Sequence, residues 1–289
     1  MLDVILSQLA NGLVLGLIYV LISVGLSITF GMLGIVNFAH GAFFALGAYI
    51  AVTLYQWLGW PAVWIAPFAV GLIGMVLEVV LVRHLYRRDP LISLVVTFSL
   101  GLLIEAAIRA IWGPMGLPFS PPDFLDGMLI VGPVLITSYR VAVFVVTVLI
   151  LIGLWLFLTY TPFGRILRAG SRDPEMVRVL GINLPWVLTG VFGLGCALAA
   201  AAGLLAAPLW AVSPAMAASA VMPAFVVVAI GGLGSFAGAV IAGLLVGVVT
   251  TMTVQFMPAA SGAAMYVLMF LVMLVRPRGL LGQRWERFE

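Results

Sequence analysis

The chain has 289 residues, of which 64% are hydrophobic and 8% charged, and its mean hydropathy is +1.28. No soluble domain of this size covers that much apolar surface, so the composition excludes a soluble globular protein and specifies a polytopic membrane protein. The thirteen basic residues, all Arg, exceed the ten acids by three, a balance too small and too scattered to argue for nucleic acid.

A helix needs about 20 apolar residues to cross the hydrocarbon core, and the apolar runs supply roughly eight to ten such spans. The alternating segments of about ten residues that mark a membrane barrel are missing. The expected fold class is therefore an all-α polytopic membrane protein in which some helices are Gly-interrupted or re-entrant, with residues 1–289 forming a single transmembrane domain. Cys196 is the only cysteine, so the sequence offers no intrachain disulfide and no thiolate metal site. No catalytic residue and no metal ligand is assigned.

In chain order, the N-terminal MLDVILSQLANGLVLGLIYV lacks a basic leader and runs into a first span at 4–30, a retained helix rather than a cleaved signal. Gly12 and Gly16 give it GxxxG spacing for close helix contact. The next apolar segment, GMLGIVNFAHGAFFALGAYIAV, is weakened as a helix by Gly31, Gly34, Gly41 and Gly47. It also carries Asn37 and His40 where lipid cannot satisfy them. Two readings stand: a helix contact in which both side chains hydrogen-bond across the bundle, or a broken helix lining a pathway.

A third span at 62–82 follows the interfacial Trp57, Trp60 and Trp64 and leads into Arg83, His84, Arg87 and Arg88. His84 is expected to be solvated, and Glu78, one turn from this boundary, to reach water by snorkelling or to pair. The fourth span, 91–112, places Glu105 and Arg109 four residues apart, where they neutralise each other. The connection 113–139 holds Pro114, Pro118, Pro121, Pro122 and Pro133 with Asp123 and Asp126. It is long for an idle connection and reads either as a docking element or as an ordered cap over the helix ends.

A fifth span at 140–160 enters the longest polar interval, Thr161 to Pro185. Here the apolar residues Met176, Val177, Val179, Leu180 and Ile182 suggest one short amphipathic helix, with Asp173 as N-cap and Pro174 at its first position. Glu175 suits the positive end of its dipole, and Gly181 suits a left-handed C-cap. Such a helix needs a partner or a lipid surface for its apolar stripe. The sixth span, 186–208, has Gly195, Ala199 and Gly203 at four-residue spacing and should pack deep. Residues 215–255 are too long for one span and are interrupted by GGLGS at 231–235, so they form two spans with a tight turn or a pair of re-entrant helices. The last span, 263–275, ends at RPRGLLGQRWERFE.

Placing the Arg clusters at 83–88, 165–178 and 276–287 on one side accounts for eleven of the thirteen, with Arg109 and Arg140 opposite. That side should be the cytoplasm, with the C-terminus there; the side of the N-terminus is not decided. Gly31-Met-Leu-Gly34 faintly echoes Gly231-Gly-Leu-Gly234, and paired Gly-interrupted segments are a mark of translocation paths. Asn37, His40, Gly41, Gly231, Gly232 and Gly234 are therefore the pathway candidates. No GxxxxGK[ST] occurs, and a chain without Lys cannot form a P-loop.

The segments GMLGIVNFAHGAFFALGAY, TPFGRILRAGSRDPEMVRVLGIN and AIGGLGSFAGAVIAGLLVG, in that order and spacing, closely resemble the LivH-type permease subunits of branched-chain amino acid ABC importers. The resemblance implies a helical permease of the bacterial inner membrane that binds no cofactor itself. It implies as partners a second related permease subunit in a heterodimer, two cytoplasmic ATPase subunits carrying ATP and magnesium, and a periplasmic amino-acid-binding protein. The segment at 161–185 would be the cytoplasmic coupling loop, 113–139 an extracytoplasmic loop, and Asp173, Pro174, Glu175, Met176, Arg178, Leu180, Gly181 and Ile182 the helix that docks on the ATPase. The spacing of Gly170 and Gly181 departs from the E-A-A-x-x-x-G coupling pattern of other importers, so the role of the segment carries over and no individual contact does. Leucine, isoleucine and valine are the substrates the resemblance implies, with other amino acids, amides or urea open. The competing reading is an ion-coupled secondary transporter or channel for a small neutral solute; it needs membrane-buried acids, and only Glu78 and Glu105 lie within spans, both near ends. An intramembrane enzyme fits least, because the two His residues are far apart and no nucleophile partner is evident.

Overall fold

The computed structural model describes residues 1–86, 88–131 and 134–282; Arg87, Pro133, Arg284 and Arg287 lie outside the described residues. Helix α1 (Leu2–Leu33) has 32 residues, about 48 Å of rise, well beyond the roughly 30 Å hydrocarbon core. It closes on Gly34, whose φ of 69° lies in the left-handed region, and residues 34–37 are irregular before a turn leads into α2 (His40–Leu58). His40 Nε2 lies 2.9 Å from the Ile22 carbonyl oxygen. Ile22 precedes the end of α1 by eleven residues (33 − 22), about 16 Å back along the axis. The chain thus climbs back into the bundle, and α2 begins near mid-depth.

After a 3-10 turn at Trp60–Trp64 come α3 (Ile65–Val80), α4 (Pro90–Trp112) and α5 (Ser138–Tyr160). They are followed by α6 (Pro162–Arg172), α7 (Pro174–Val179) and α8 (Leu184–Ala206). The last three are α9 (Met216–Gly231), α10 (Phe236–Phe256) and α11 (Ser261–Val275). Among the described residues, eight helical segments are long and apolar enough to cross a membrane, and α9 is a shorter apolar helix. The 215–255 stretch divides as expected, into α9 and α10 around the turn at 232–235.

The GxxxG of α1 meets α10. A Cβ at Gly16 would stand 2.9 Å from the Gly243 carbonyl oxygen, and one at Gly12 would stand 2.8 Å from Val248 Cα. Gly31 lies beside Gly234 at the other end of the pair, so the two helices run antiparallel. Of the glycines expected to weaken the second apolar segment, Gly41 and Gly47 sit inside α2. They do not interrupt it; they admit neighbours, since added side chains would strike the Ala217 carbonyl of α9 and Ala200 of α8.

One end of the bundle carries α6, α7, the turn at 232–235 and the C-terminal turn, with eight described Arg residues; the opposite end carries Arg109 and Arg140. We call these the Arg-rich end and the hairpin end. The N-terminus of α1 lies at the hairpin end, where Gln8 Nε2 donates to Gln255 Oε1 at 2.8 Å and Arg140 donates to Asn11. The described residues of the connection at 113–139 form a cap, one of the two readings the sequence left open. It contains a 3-10 turn at Asp123–Leu125 and an antiparallel hairpin of β1 (Met128–Val131) with β2 (Val134–Thr137), Leu129 opposite Ile136. The β-branched residues of the two strands favour this pairing. Leu117 N donates to the Val212 carbonyl at 2.8 Å, tying the cap to the chain leaving α8.

Candidate functional site

The polar interval 161–185 folds as two helices where one was expected in a loop. Thr161 Oγ1 accepts from Gly164 N at 3.2 Å, and Pro162 occupies the first turn of α6, where its missing N–H leaves no bond unmade. Leu167 and Gly170 face the bundle, the latter against Met32 and Leu184, while Arg165, Arg168 and Arg172 are exposed. The signal was present in the Thr-Pro cap and in Ile166 and Leu167 framed by arginines. Arg168 donates to the carbonyls of Leu158 and Thr159, satisfying the C-terminal end of α5.

Asp173 separates the two helices and caps α7, its carboxylate accepting from Met176 N at 2.9 Å, with Pro174 next in the first turn. Gly181 takes a φ of 79°. Its N–H donates to the Arg178 carbonyl at 2.9 Å, and that of Ile182 donates to Val177 at 3.3 Å, closing the helix as the sequence indicated. The apolar stripe splits: Val177 is buried, whereas Met176, Val179 and Leu180 are 56%, 81% and 70% exposed. Glu175 and Arg178 are exposed on the same short helix.

Beside this segment the structure corrects the placement of Glu78, which is fully buried and does not reach water. Arg83 Nη2 lies 3.2 Å from its Oε2, Tyr86 donates its hydroxyl to Oε1 at 2.6 Å, and Thr189 of α8 donates to Oε2 at 2.5 Å. Arg83 Nη2 also donates to Thr189 Oγ1 at 2.7 Å. The turn Val82–Leu85 folds back under α3 and so delivers Arg83 to the carboxylate. Burial and the hydrogen bond to Glu78 push the Tyr86 phenol up, so it remains a neutral donor. The exposed Glu105–Arg109 pair forms at 2.6 Å as expected.

The pathway candidates fall in two places. Asn37, His40 and Gly41 gather at the start of α2, against α1 and the start of α9. Asn37 Oδ1 accepts from Ala39 N at 3.1 Å, while Asn37 Nδ2 and His40 Nδ1 are buried without hydrogen-bond partners among the described residues. Gly231, Gly232 and Gly234 lie at the Arg-rich end. There the C-terminal turn packs on Gly232, with Leu280 N donating to the Ile230 carbonyl at 2.7 Å and Leu281 N to Gly231 at 3.1 Å. The two echoing segments are neighbours: a Cβ at Gly31 would stand 3.3 Å from Gly234 Cα. A cavity of about 540 Å³ opens beside them, between α1, α5, α6 and α10, and Gly31 and Gly234 line it.

A bundle of this kind, with eight apolar helices of spanning length, is a multi-pass membrane protein of the permease class. Residues 8–275 match the family model described as branched-chain amino acid transport system / permease component, and the chain belongs to that family. It is 34% identical over 294 residues to the high-affinity branched-chain amino acid transport system permease protein BraD of Pseudomonas aeruginosa, covering 96% of each chain. It is 30% identical over 297 residues to the permease protein LivH of Salmonella typhimurium, again with 96% of each covered. The permease protein LivM of Escherichia coli is 29% identical over 297 residues, with 92% of this chain and 68% of that one covered. No solved structure matches.

Proposed function

We propose that this chain is the permease subunit of an ATP-driven importer that carries branched-chain or other hydrophobic amino acids across the bacterial inner membrane by alternating access. The whole chain acts as one transmembrane domain, with 161–185 and the C-terminus in the cytoplasm and 113–139 on the opposite side. The observation that carries this reading is α7, a doubly capped helix whose Met176, Val179 and Leu180 stand exposed at the Arg-rich end. Those three side chains fit a groove on a cytoplasmic ATPase, one of two that hold ATP and magnesium. A second permease subunit, related as LivM is related to this chain, completes a heterodimer, and a periplasmic amino-acid-binding protein delivers the solute at the hairpin end. Rigid-body movement of α6 and α7 on ATP binding then changes which end of the bundle is open. Against the secondary-transporter reading, Glu78, the fully buried acid among the described residues, is held by Arg83, Tyr86 and Thr189 and is not free to exchange an ion.

The test is Met176→Cys in native membranes, crosslinked and identified by mass spectrometry; Cys196 is buried and contributes little background. Capture of a P-loop ATPase supports the reading. A reactive thiol that captures no ATPase makes α7 a lipid-facing helix and brings the ion-coupled reading forward.

A further inference from the structure

We infer that the cavity between α1, α5, α6 and α10 holds the transported solute on the Arg-rich side as a zwitterionic amino acid, its carboxylate at Arg172 and its aliphatic side chain against Ile28, Leu167 and Phe236. The inference rests on the transport reading and names the side chains that meet the solute. At about 540 Å³ the cavity falls in the range of small-molecule sites. Its lining is chemically lopsided, with Arg168, Arg172, Ser27, Thr159 and Ser171 but no acid among the described residues. Arg168 is committed to the Leu158 and Thr159 carbonyls, whereas the Arg172 side chain makes no hydrogen bond or ion pair among the described residues. The buried Ser27 hydroxyl lacks a partner as well.

A site whose described lining offers a free cation and no carboxylate attracts a solute carboxylate and disfavours a cationic side chain. The apolar wall receives a branched hydrocarbon group without asking for a polar partner. Gly31 and Gly234, in contact at the edge, keep that edge free of side chains. Helix α6 forms one wall and is joined through Asp173 to α7, so displacement of the docking helix reshapes this cavity directly.

Ala237 lines the cavity and is exposed, so Ala237→Cys in the full transporter reports on it. The measurement is its rate of modification by anionic and cationic methanethiosulfonate reagents, in membrane vesicles with the Arg-rich end outward. L-leucine at about twice its Kd should slow modification roughly threefold by mass action, while L-leucinamide, lacking the carboxylate, and L-lysine should not. Arg172→Gln should abolish leucine protection and lower the anionic-to-cationic rate ratio about threefold. The proposal is overturned by an unreactive thiol, by absence of leucine protection, or by protection that survives Arg172→Gln. Protection by phosphatidylglycerol in the vesicle and not by leucine also overturns it, by making the site one for an acidic lipid headgroup. Leucine protection together with failure of the Met176 crosslink keeps this solute site and removes only the ATPase-coupled reading.

Discussion

Helices α5 and α8 are both 23 residues long, and the more hydropathic of the two is the more exposed. The apolar stretch of α5 has a mean hydropathy of 3.0 and is 22% buried in the chain; that of α8 has 2.0 and is 83% buried. In water this order would be reversed. In a bilayer, lipid tails receive Leu and Val as well as another helix does, so apolarity alone draws no helix inward. Small residues do, because they let backbones approach and give dispersion and weak hydrogen bonds a short distance to act over. Helix α8 supplies Gly195, Ala199, Ala200 and Gly203, against which α1 and α2 lie, whereas α5 presents Leu149, Ile152, Trp155 and Leu156 outward.

The strongest way to break this comparison is to place a large side chain on each helix. A Cβ at Gly203 meets the Phe44 carbonyl oxygen of α2, whereas one at Gly153 of α5 meets nothing within 4 Å. Gly203→Leu should cost about 3 kcal/mol by overpacking and Gly153→Leu less than about 0.5 kcal/mol, read by denaturant titration of the purified protein in detergent. Equal losses would refute the packing account.

The two ion pairs sharpen the same contrast. Arg83→Ala strands the buried Glu78 carboxylate and should cost about 2 kcal/mol, discounted because the guanidinium is partly exposed. Arg109→Ala removes a surface pair and should cost about 0.5 kcal/mol or less. If both variants unfold at the same denaturant concentration, Tyr86 and Thr189 suffice to hold Glu78 and the buried ion pair carries no extra stability. In the inner group, Asn37→Ala or His40→Ala should lower solute uptake about tenfold, equivalent to about 1.4 kcal/mol in the barrier, without lowering the amount of assembled transporter. Normal uptake by both variants would remove these residues from the pathway. The most local effect is expected at α7: Asp173→Ala removes a cap worth about 1 kcal/mol and should reduce crosslinking from Met176→Cys while leaving the melting temperature of the bundle unchanged. Undiminished crosslinking would mean that α7 is held by its partner alone.

Much of α7 was legible because its determinants are local. Asp173 and Gly181 each bond to a backbone group three positions away, Pro174 acts through its own fixed φ, and backbone geometry reads them the same way in any context. Helix α6 was harder to see, since its arginines mark a polar interval and its buried residues, Leu167 and Gly170, declare themselves only against Met32 and Leu184. The hairpin at 128–137 was hidden by the prolines around it, and its pairing is a contact between strands rather than a property of either.

The helical type of the spans and their approximate number, the apolar character of the whole chain, the one-sided distribution of Arg and the capped helix at 174–179 follow from sequence by itself, because hydration free energy and backbone stereochemistry act residue by residue. Tertiary structure alone decided which helices are inside, that the GxxxG of α1 meets α10, that α2 starts near mid-depth beneath Ile22, and that Glu78 is sealed by a threonine 111 residues away. Each of these depends on close approach between segments distant in the chain, and in a bilayer close approach is governed by the shape of the facing surfaces, which hydropathy does not record.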